Sequence, residues 1–364
     1  MARGKVLMNT VESEQKNAVF SGGYGTASAA LPLPVEASSE ILAIQDFQRR
    51  HPGLFQKDDR KLFCHLGLVF GLMAALFAVI VLIPSLAARI PASLLLSLLY
   101  FSLINVTIHH HHTHRNAAQS PAAKKFLDLL YMAVLPNAAR RRPRYVKVHL
   151  SHHADVFEPT DVDHLYGAER FLKMRRNLWT RLLYFLELSF VGAHVPGWEE
   201  DQYMNETPRD EWNLADYRIV KAKEKNKAVI TAAIQGVLLC ACLQVLPWFA
   251  WGWALPMLLV KNWAHFLGQF QHYDPRFLQP GAPRWKRTLS FEVPGWFNNL
   301  MAGEIKGHHV HHLFPSLPYY NMEEACKILA QDPEASRFLV MAGKDFWTGE
   351  RNGSWDRNTA NSAA

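Results

Sequence analysis

Three long stretches of the chain carry no Lys, Arg, Asp or Glu: Leu62 to Ala88, Ile90 to Ile108 and Ala228 to Val260. They decide the solvent before they decide the fold. About 20 apolar residues span the hydrocarbon of a bilayer, and a helix is the local structure that satisfies its own backbone there. The first two runs, 27 and 19 residues long, are separated by Arg89 with Pro91 close behind. They predict two crossings, about 62–88 and 90–108, joined by a tight break at Arg89-Ile90-Pro91. The third run has 33 residues, too many for one crossing and few for two. Pro247 with Trp248, Trp251 and Trp253 reads as a turn at the far interface, where indole rings prefer to sit. This run predicts a second hairpin, about 226–246 and 249–270.

Each hairpin returns the chain to the side from which it started. Arg140-Arg141-Arg142-Pro143-Arg144 is a short basic segment beside membrane helices, and such segments stay cytoplasmic. A multi-pass integral membrane protein with both termini on the cytoplasmic side is therefore expected. Phe126 to Pro136 is half a span long and predicts a re-entrant or interfacial piece; Leu178 to Val195, apolar but carrying Arg181 and Glu187, predicts a helix lying in the interface. The expected fold is all-α: four transmembrane helices as two hairpins, interfacial helices and a cytoplasmic helical cap.

Residues 1–60 read as a mobile polar arm and pre-membrane segment, not a signal peptide, since no compact apolar stretch follows the charged start. Residues 61–322 form the membrane domain, and 323–364 a cytoplasmic segment with a disordered tail. The formal charge is +7, from 39 Lys and Arg against 32 Asp and Glu. These cations flank apolar runs instead of interleaving with aromatics, so the lipid bilayer is the expected partner and nucleic acid is not. The four cysteines, Cys64, Cys240, Cys242 and Cys326, make no disulfide framework, and Cys240-x-Cys242 is too closely spaced for a zinc knuckle. His51-Pro-Gly-Leu has the look of a haem loop, without a second haem ligand context.

Histidine is the side chain that carries chemistry here. His109-His110-His111-His112-Thr113-His114 ends the second apolar run, His149-x-x-His152-His153 follows the basic segment, and His308-His309-x-His311-His312 follows the second hairpin. On a helix, residues three and four apart share a face, so H-x-x-H-H turns its ring nitrogens toward one point. All three clusters fall on one side of the membrane by parity, the condition for a single site. A polar stripe of Asn262, His265, Gln269 and His272 on the last membrane helix runs toward them, and polar stripes in membrane helices are functional until shown otherwise. Nine imidazoles are counted: His109 or His110, His114, His149, His152, His153, His265, His308, His311 and His312, with Asn262 as a further oxygen ligand and His309 as an alternate to His308. Nine exceed what one ion takes, so two metals are implied. No cysteine offers the thiolates of a closed zinc site, and a pair of irons with positions open for dioxygen is the better match. The paired Glu-x-x-His helices of carboxylate-bridged bundles are absent.

The boxes at His110 to His114, His149 to His153 and His308 to His312, with His-His-Leu-Phe-Pro-Ser-Leu-Pro-Tyr-Tyr-Asn after the third and Asp155, Asp161 and Asp163 after the second, resemble the membrane fatty acid desaturase superfamily over roughly Leu62 to Asn321. Four consecutive histidines leave the first ligand open between His109 and His110, and Asn262 precedes His265 by three residues where the family has four. The resemblance implies a cytoplasmic cap over four membrane helices, a non-haem di-iron centre, dioxygen as co-substrate and a fatty acyl chain in a tunnel. It also implies electrons from a separate carrier, a ferredoxin, a rubredoxin or a b-type cytochrome with its reductase. The expected reaction is fatty acid desaturation, with hydroxylation or oxidative decarboxylation to a terminal alkene as alternatives on the same scaffold. Arg144, Lys147, Gln269 and His272 are expected to contact substrate or partner. A membrane metal transporter is the non-enzyme alternative, but the first two crossings are almost purely apolar and no repeat is found.

Overall fold

A computed structural model of the chain describes residues 35–134, 138–154, 156–174, 198–272, 287–339 and 341–342. Most of the polar arm, the interfacial segment expected over 178–195, Asp155 and the C-terminal tail lie outside the described residues. The chain divides into two units, 1–42 and 43–364. In the first, only 35–42 are described, as the opening turns of helix α1 (Val35–Arg50). Among its described residues the second is helical apart from one parallel bridge, Ser290–Phe291 (β1) with Met341–Ala342 (β2).

Helix α2 (Asp59–Leu82) starts where Asp58 accepts hydrogen bonds from the Arg60 and Lys61 amides. It ends at Ile83, because the residue before a proline is pushed out of the helical region, here by Pro84. The break between the first two apolar helices therefore lies at 83–85, not at Arg89-Ile90-Pro91. Helix α3 (Leu86–Tyr100) contains Pro91 in its second turn, and the Arg89 guanidinium turns back to donate to the Ile80 carbonyl at 3.0 Å, satisfying a helix-end acceptor. From Phe101 to His111 the helix widens into a π-helix that delivers the first histidine cluster, and π-turns are frequent at functional sites.

Helices α4 (Pro121–Val134), α5 (Ala138–Ala154), α6 (Val162–Met174) and α7 (Trp198–Glu206) follow. The Asp59 carboxylate accepts from the Gln119 and Ser120 amides at 2.6 and 3.0 Å, which ties the start of α4 to the start of α2. Helix α4 buries Ala123, Leu127 and Tyr131 on one face and leaves Phe126, Leu129 and Met132 exposed on the other. Helix α8 (Leu214–Val245) is capped by Asn213 and is charged in its first third and apolar in its last. A short turn over Pro247–Phe249 and a π-turn over Ala250–Ala254 lead into α9 (Leu255–His272). That turn packs against α2 so closely that a Cβ on Gly252 would lie 2.4 Å from the Phe77 ring. The Tyr100 hydroxyl donates to the Gly252 carbonyl at 3.1 Å. Helices α10 (Gly295–Leu300), α11 (His308–Leu313) and α12 (Met322–Gln331) complete the unit. One apolar core joins α2, the π-helix, α4, α9, α11 and α12 through residues such as Leu62, Ile108, Leu127, Leu267, Val310 and Met322.

The expected count of four crossings needs correction. Among the described residues, two helical stretches are long and apolar enough to cross a membrane, Asp59–Leu82 and Leu86–His111. Leu214–Glu224 and Val229–Val245, bent by 46°, make a third if taken as one span. The stretch expected over 249–270 does not qualify. Its helix carries Lys261, Asn262, His265, Gln269, Gln271 and His272, which lower its hydropathy.

Beside the apolar body, a buried ionic network locks α5, α6, α7 and α8 together. The Arg144 guanidinium reaches Asp201 at 2.9 Å and Glu200 at 3.1 Å. Lys221 reaches Glu200 at 2.6 Å, and the Tyr217 hydroxyl lies 2.7 Å from Asp163 and 2.6 Å from Glu200. The Lys147 ammonium donates to the Met204 and Thr207 carbonyls at 2.6 and 3.1 Å. Removing one partner of a buried pair strands the other charge. Arg144→Met is expected to destabilise the protein by about 3 kcal/mol, whereas Arg218→Ala, at a half-exposed pair with Glu169, is expected to cost under about 1 kcal/mol. Thermal unfolding of both variants in detergent checks the contrast.

Candidate metal centre

Each histidine box is delivered by a different local device. The first rides the end of the π-helix, where its consecutive rings diverge. His109 packs between Tyr131 and Tyr145, His111 bonds to the Ala302 carbonyl at 3.2 Å, and His112 turns to Asp128 at 2.8 Å. Only His110 and His114 of this run point to a common centre with the second and third boxes. The second box sits on the last turns of α5, where i, i+3 and i+4 spacing puts His149, His152 and His153 on one side. The third forms α11, a six-residue helix. Its His309 is turned away, with Thr288 Oγ1 2.7 Å from Nδ1 and the Phe338 carbonyl 2.6 Å from Nε2. Both of its ring nitrogens are engaged in packing the box. His308, His311 and His312 face inward.

Two groups result. His110, His114, His149, His153 and His311 form the first, with one ring nitrogen of each lying within 4.8 Å of the others. His272 belongs to two further triads, one with His152 and His164 and one with His308 and His312; because they share its ring they lie side by side and are called here the second group. The groups abut, since the His153 and His312 rings stack at 4.2 Å between centroids. Within the first, Nε2 atoms approach at 2.6 Å (His110 to His311), 2.7 Å (His114 to His149) and 3.1 Å (His114 to His153 and His153 to His311). In the second, His308 Nε2 lies 2.7 Å from His272 Nε2.

The placement of the expected residues is as follows. His110, His114, His149, His152, His153, His308, His311 and His312 come together. The side chain of His265 lies outside the described residues, as does that of Gln269. Among the described side chains of α9, the imidazole that reaches the groups is His272, two turns further on. Asn262 is buried on the same helix, ten residues or about 15 Å of rise before His272. Arg144 and Lys147 are held inside the ionic network described above. Reasoning from boxes missed His164, which lies on α6 with its ring stacked on His152 at 3.5 Å. It named Asp161 only within the acidic segment after the second box and passed over Glu304, and both carboxylates support imidazoles. Asp161 takes His152 Nδ1 at 2.9 Å and His164 Nδ1 at 3.0 Å, and Glu304 takes His308 Nδ1 at 3.0 Å and lies 3.4 Å from His110 Nδ1. Acid-x-x-His and acid-x-x-x-His spacing was the available signal.

These residues fit a metal. A carboxylate is acceptor-only, so Asp161 and Glu304 keep the ring proton on Nδ1 and leave Nε2 as a bare donor, the usual outer support of a metal-ligating histidine. His152 Nε2, the inward nitrogen of that ring, is buried without a hydrogen-bond partner. Metal–imidazole bonds of about 2.1 Å would set the ligand nitrogens of one ion about 3 to 4 Å apart; the 3.1 Å pairs of the first group lie in that range and its 2.6 and 2.7 Å pairs are closer than it. Electrostatics favour neutral rings. Burial, with neighbouring imidazoles pushing the same way, holds His114, His149, His153, His311 and His312 well below the ordinary value. Burial and His164 bring His152 down to about 4 against the opposing pull of Asp161. Burial alone would raise the Asp161 and Glu304 carboxyls, but the imidazoles they accept from hold both far below the usual carboxylate range.

Two expectations follow from this geometry. His308→Ala removes an inward ring and lowers bound metal, whereas His309→Ala leaves metal content intact and lowers stability by about 2 kcal/mol through its lost buried hydrogen bonds. Metal analysis and thermal unfolding of the two variants separate the roles. The second concerns pH. An imidazole depressed in the folded state stays neutral while its unfolded counterpart protonates below about 6.5, so the unfolded chain binds more protons and stability falls as pH falls. Between pH 7 and pH 5 the metal-free protein is expected to lose up to about 1.4 kcal/mol per pH unit for each such ring. A melting temperature that does not move over this range would contradict the burial of these rings.

The model of the family described as fatty acid desaturase matches residues 84–342, more than two thirds of the chain and all ten imidazoles of the two groups. Comparison with curated proteins finds no match. A helical scaffold with two apolar spans, three histidine boxes converging on one place, and a family match that covers the second span and all three boxes lead to one conclusion: the chain belongs to the fatty acid desaturase family.

Proposed function

We propose that this protein is an integral membrane oxidoreductase that removes two hydrogens from adjacent carbons of a fatty acyl chain, using two iron ions, dioxygen and electrons from a separate carrier. The observation that carries the reading is the pair of abutting imidazole groups next to an apolar helical hairpin. The bound irons, with dioxygen, supply an oxidant able to break an unactivated C–H bond, which no side-chain acid or base can do.

The chain's own residues do the rest. His110, His114, His149, His153 and His311 hold one ion, and His152, His164, His272, His308 and His312 the other. Asp161 and Glu304 keep the ring protons on Nδ1. The acyl chain enters from the bilayer side among α2, α3 and α9. With α2 and α3 crossing the bilayer and Arg140 to Arg144 held cytoplasmic, the centre opens to the cytoplasm. There a ferredoxin, a rubredoxin or a b-type cytochrome with its reductase can deliver electrons. The catalytic domain runs over about 61–322, with the polar arm before it and the C-terminal segment after it.

The test is direct. Detergent-purified protein is expected to hold about two irons per chain. With reductant, dioxygen and a mixed set of fatty acids it is expected to give products lighter by two hydrogens, read by mass. Products heavier by one oxygen, or alkenes one carbon shorter, would keep the centre and change the reaction to hydroxylation or oxidative decarboxylation. Folded protein that takes up no iron when loaded anaerobically with Fe(II) alone would sink the reading.

A further inference from the structure

Of the two carboxylates that support the imidazoles, Asp161 serves rings of the same group, His152 and His164. Glu304 differs. One of its oxygens takes His308, a member of the second group, and the other lies against His110, a member of the first. Among the described residues no other carboxylate spans both groups.

The segment that carries Glu304 is built to hold it still. Ala302 and Gly303 both adopt the left-handed region, at φ 51° and 76°, and for alanine this costs about 1–2 kcal/mol. A Cβ on Gly303 would lie 2.8 Å from Met322 Sδ, and one on Gly307 2.5 Å from the Gly303 carbonyl. The backbone is fixed from outside as well. Gln271, next to His272, donates from Nε2 to the Glu304 carbonyl at 2.7 Å. His111 bonds to the Ala302 carbonyl, and the Lys306 amide donates to Asn298 Oδ1 at 2.9 Å. Strained backbone persists where the surroundings over-determine it. Here they aim one buried side chain between two rings.

We infer that Glu304 is a positioning residue that couples the two metal groups, holding one ligand of each so that filling one group orders the other. The inference rests on the two-ion reading above. Its physical basis is tautomer control. An acceptor-only carboxylate requires Nδ1–H on both rings and so leaves Nε2 of both free to bind. Glutamine has the same shape but one acceptor and one donor. In Glu304→Gln, the amide oxygen can serve one ring, while the NH2 forces the other to present a bare Nδ1. That moves the proton of the second ring onto Nε2, the atom that should ligate. The substitution therefore blocks one group and spares the other.

The experiment uses full-length protein in detergent, stripped by chelator and titrated anaerobically with Co(II). Visible absorption, cobalt per chain after gel filtration and thermal unfolding are recorded together. Wild type is expected to take up two cobalt ions in one steep isotherm with a Hill coefficient above 1. Glu304→Gln is expected to split it into two steps, the weaker shifted by about tenfold or more. Glu304→Asp keeps the charge but, one methylene shorter, cannot reach both rings, and is expected to split the isotherm in the same way. A role limited to packing would lower the melting temperature without separating the steps. A Glu304→Gln isotherm that superimposes on wild type, or two independent steps in wild type itself, overturns the inference. Wild type that takes up fewer than two cobalt ions fails the two-ion reading instead.

Discussion

Ten imidazoles, six of them buried and four half-buried, face one another, and the rest of this structure must accommodate them. Two neutral rings can share one proton as an N–H···N bond, but several ring nitrogens crowded 2.6–3.1 Å apart cannot all be satisfied that way, and adding protons is opposed because burial penalises the charged ring. A cation shared among the nitrogens removes the conflict. The two supporting carboxylates push the same way, since they engage Nδ1 and turn Nε2 inward. An arrangement so unfavourable by itself is intelligible as a holder for ions and hard to understand as a core.

The scaffold responds to that demand at each box. An ordinary α-helix would carry the five histidines of the first run around its axis at about 100° steps. The π-helix that precedes them, together with the separate anchors of His111 at Ala302 and His112 at Asp128, lets His110 and His114 converge. The third box lies on a helix too short to be stable alone. It is held by what surrounds it, with Ser290 accepting the His309 amide and the His309 ring pinned at both nitrogens. The second box is braced at the other end of α5, where Arg144 enters the ionic network with α7 and α8.

How much of this was legible in the chain itself depends on the range of the physics involved. The boxes and their convergence were legible, because H-x-x-H-H is a local pattern with a local meaning. The spacing favoured His308 over His309 and left His109 and His110 open, and what turns the neighbouring rings away was not legible. It depends on Tyr145, Thr288 and Phe338, partners distant in sequence that take up the neighbouring rings. Asp161 and Glu304 lay within four residues of histidines they support, but single carboxylates at that spacing are common on helices and carry no message alone. His164 has no box around it, and only the return of α6 against α5 reveals it. The first two membrane helices were legible to within a few residues, with the error at Pro84 and Pro91, where one proline ends a helix and the other is tolerated in its first turns.

The largest misreading, the fourth crossing, follows from the chemistry. Apolar length identifies a membrane helix only when the helix has nothing to do but cross. Helix α9 brings His272 to the second group and Gln271 to the backbone of Glu304, and Trp263 donates to Ser97 on α3 at 2.7 Å. Each of these contacts replaces apolar surface with a polar group that points into protein, where it is hydrogen-bonded or faces the imidazoles. Such a helix is costly in lipid only where its polar groups are exposed to lipid, and here Gln271 and His272 are turned to the centre. The features that remove α9 from the set of simple crossings are the ones that make it part of the site, so a reading based on hydropathy fails at the element where function is concentrated.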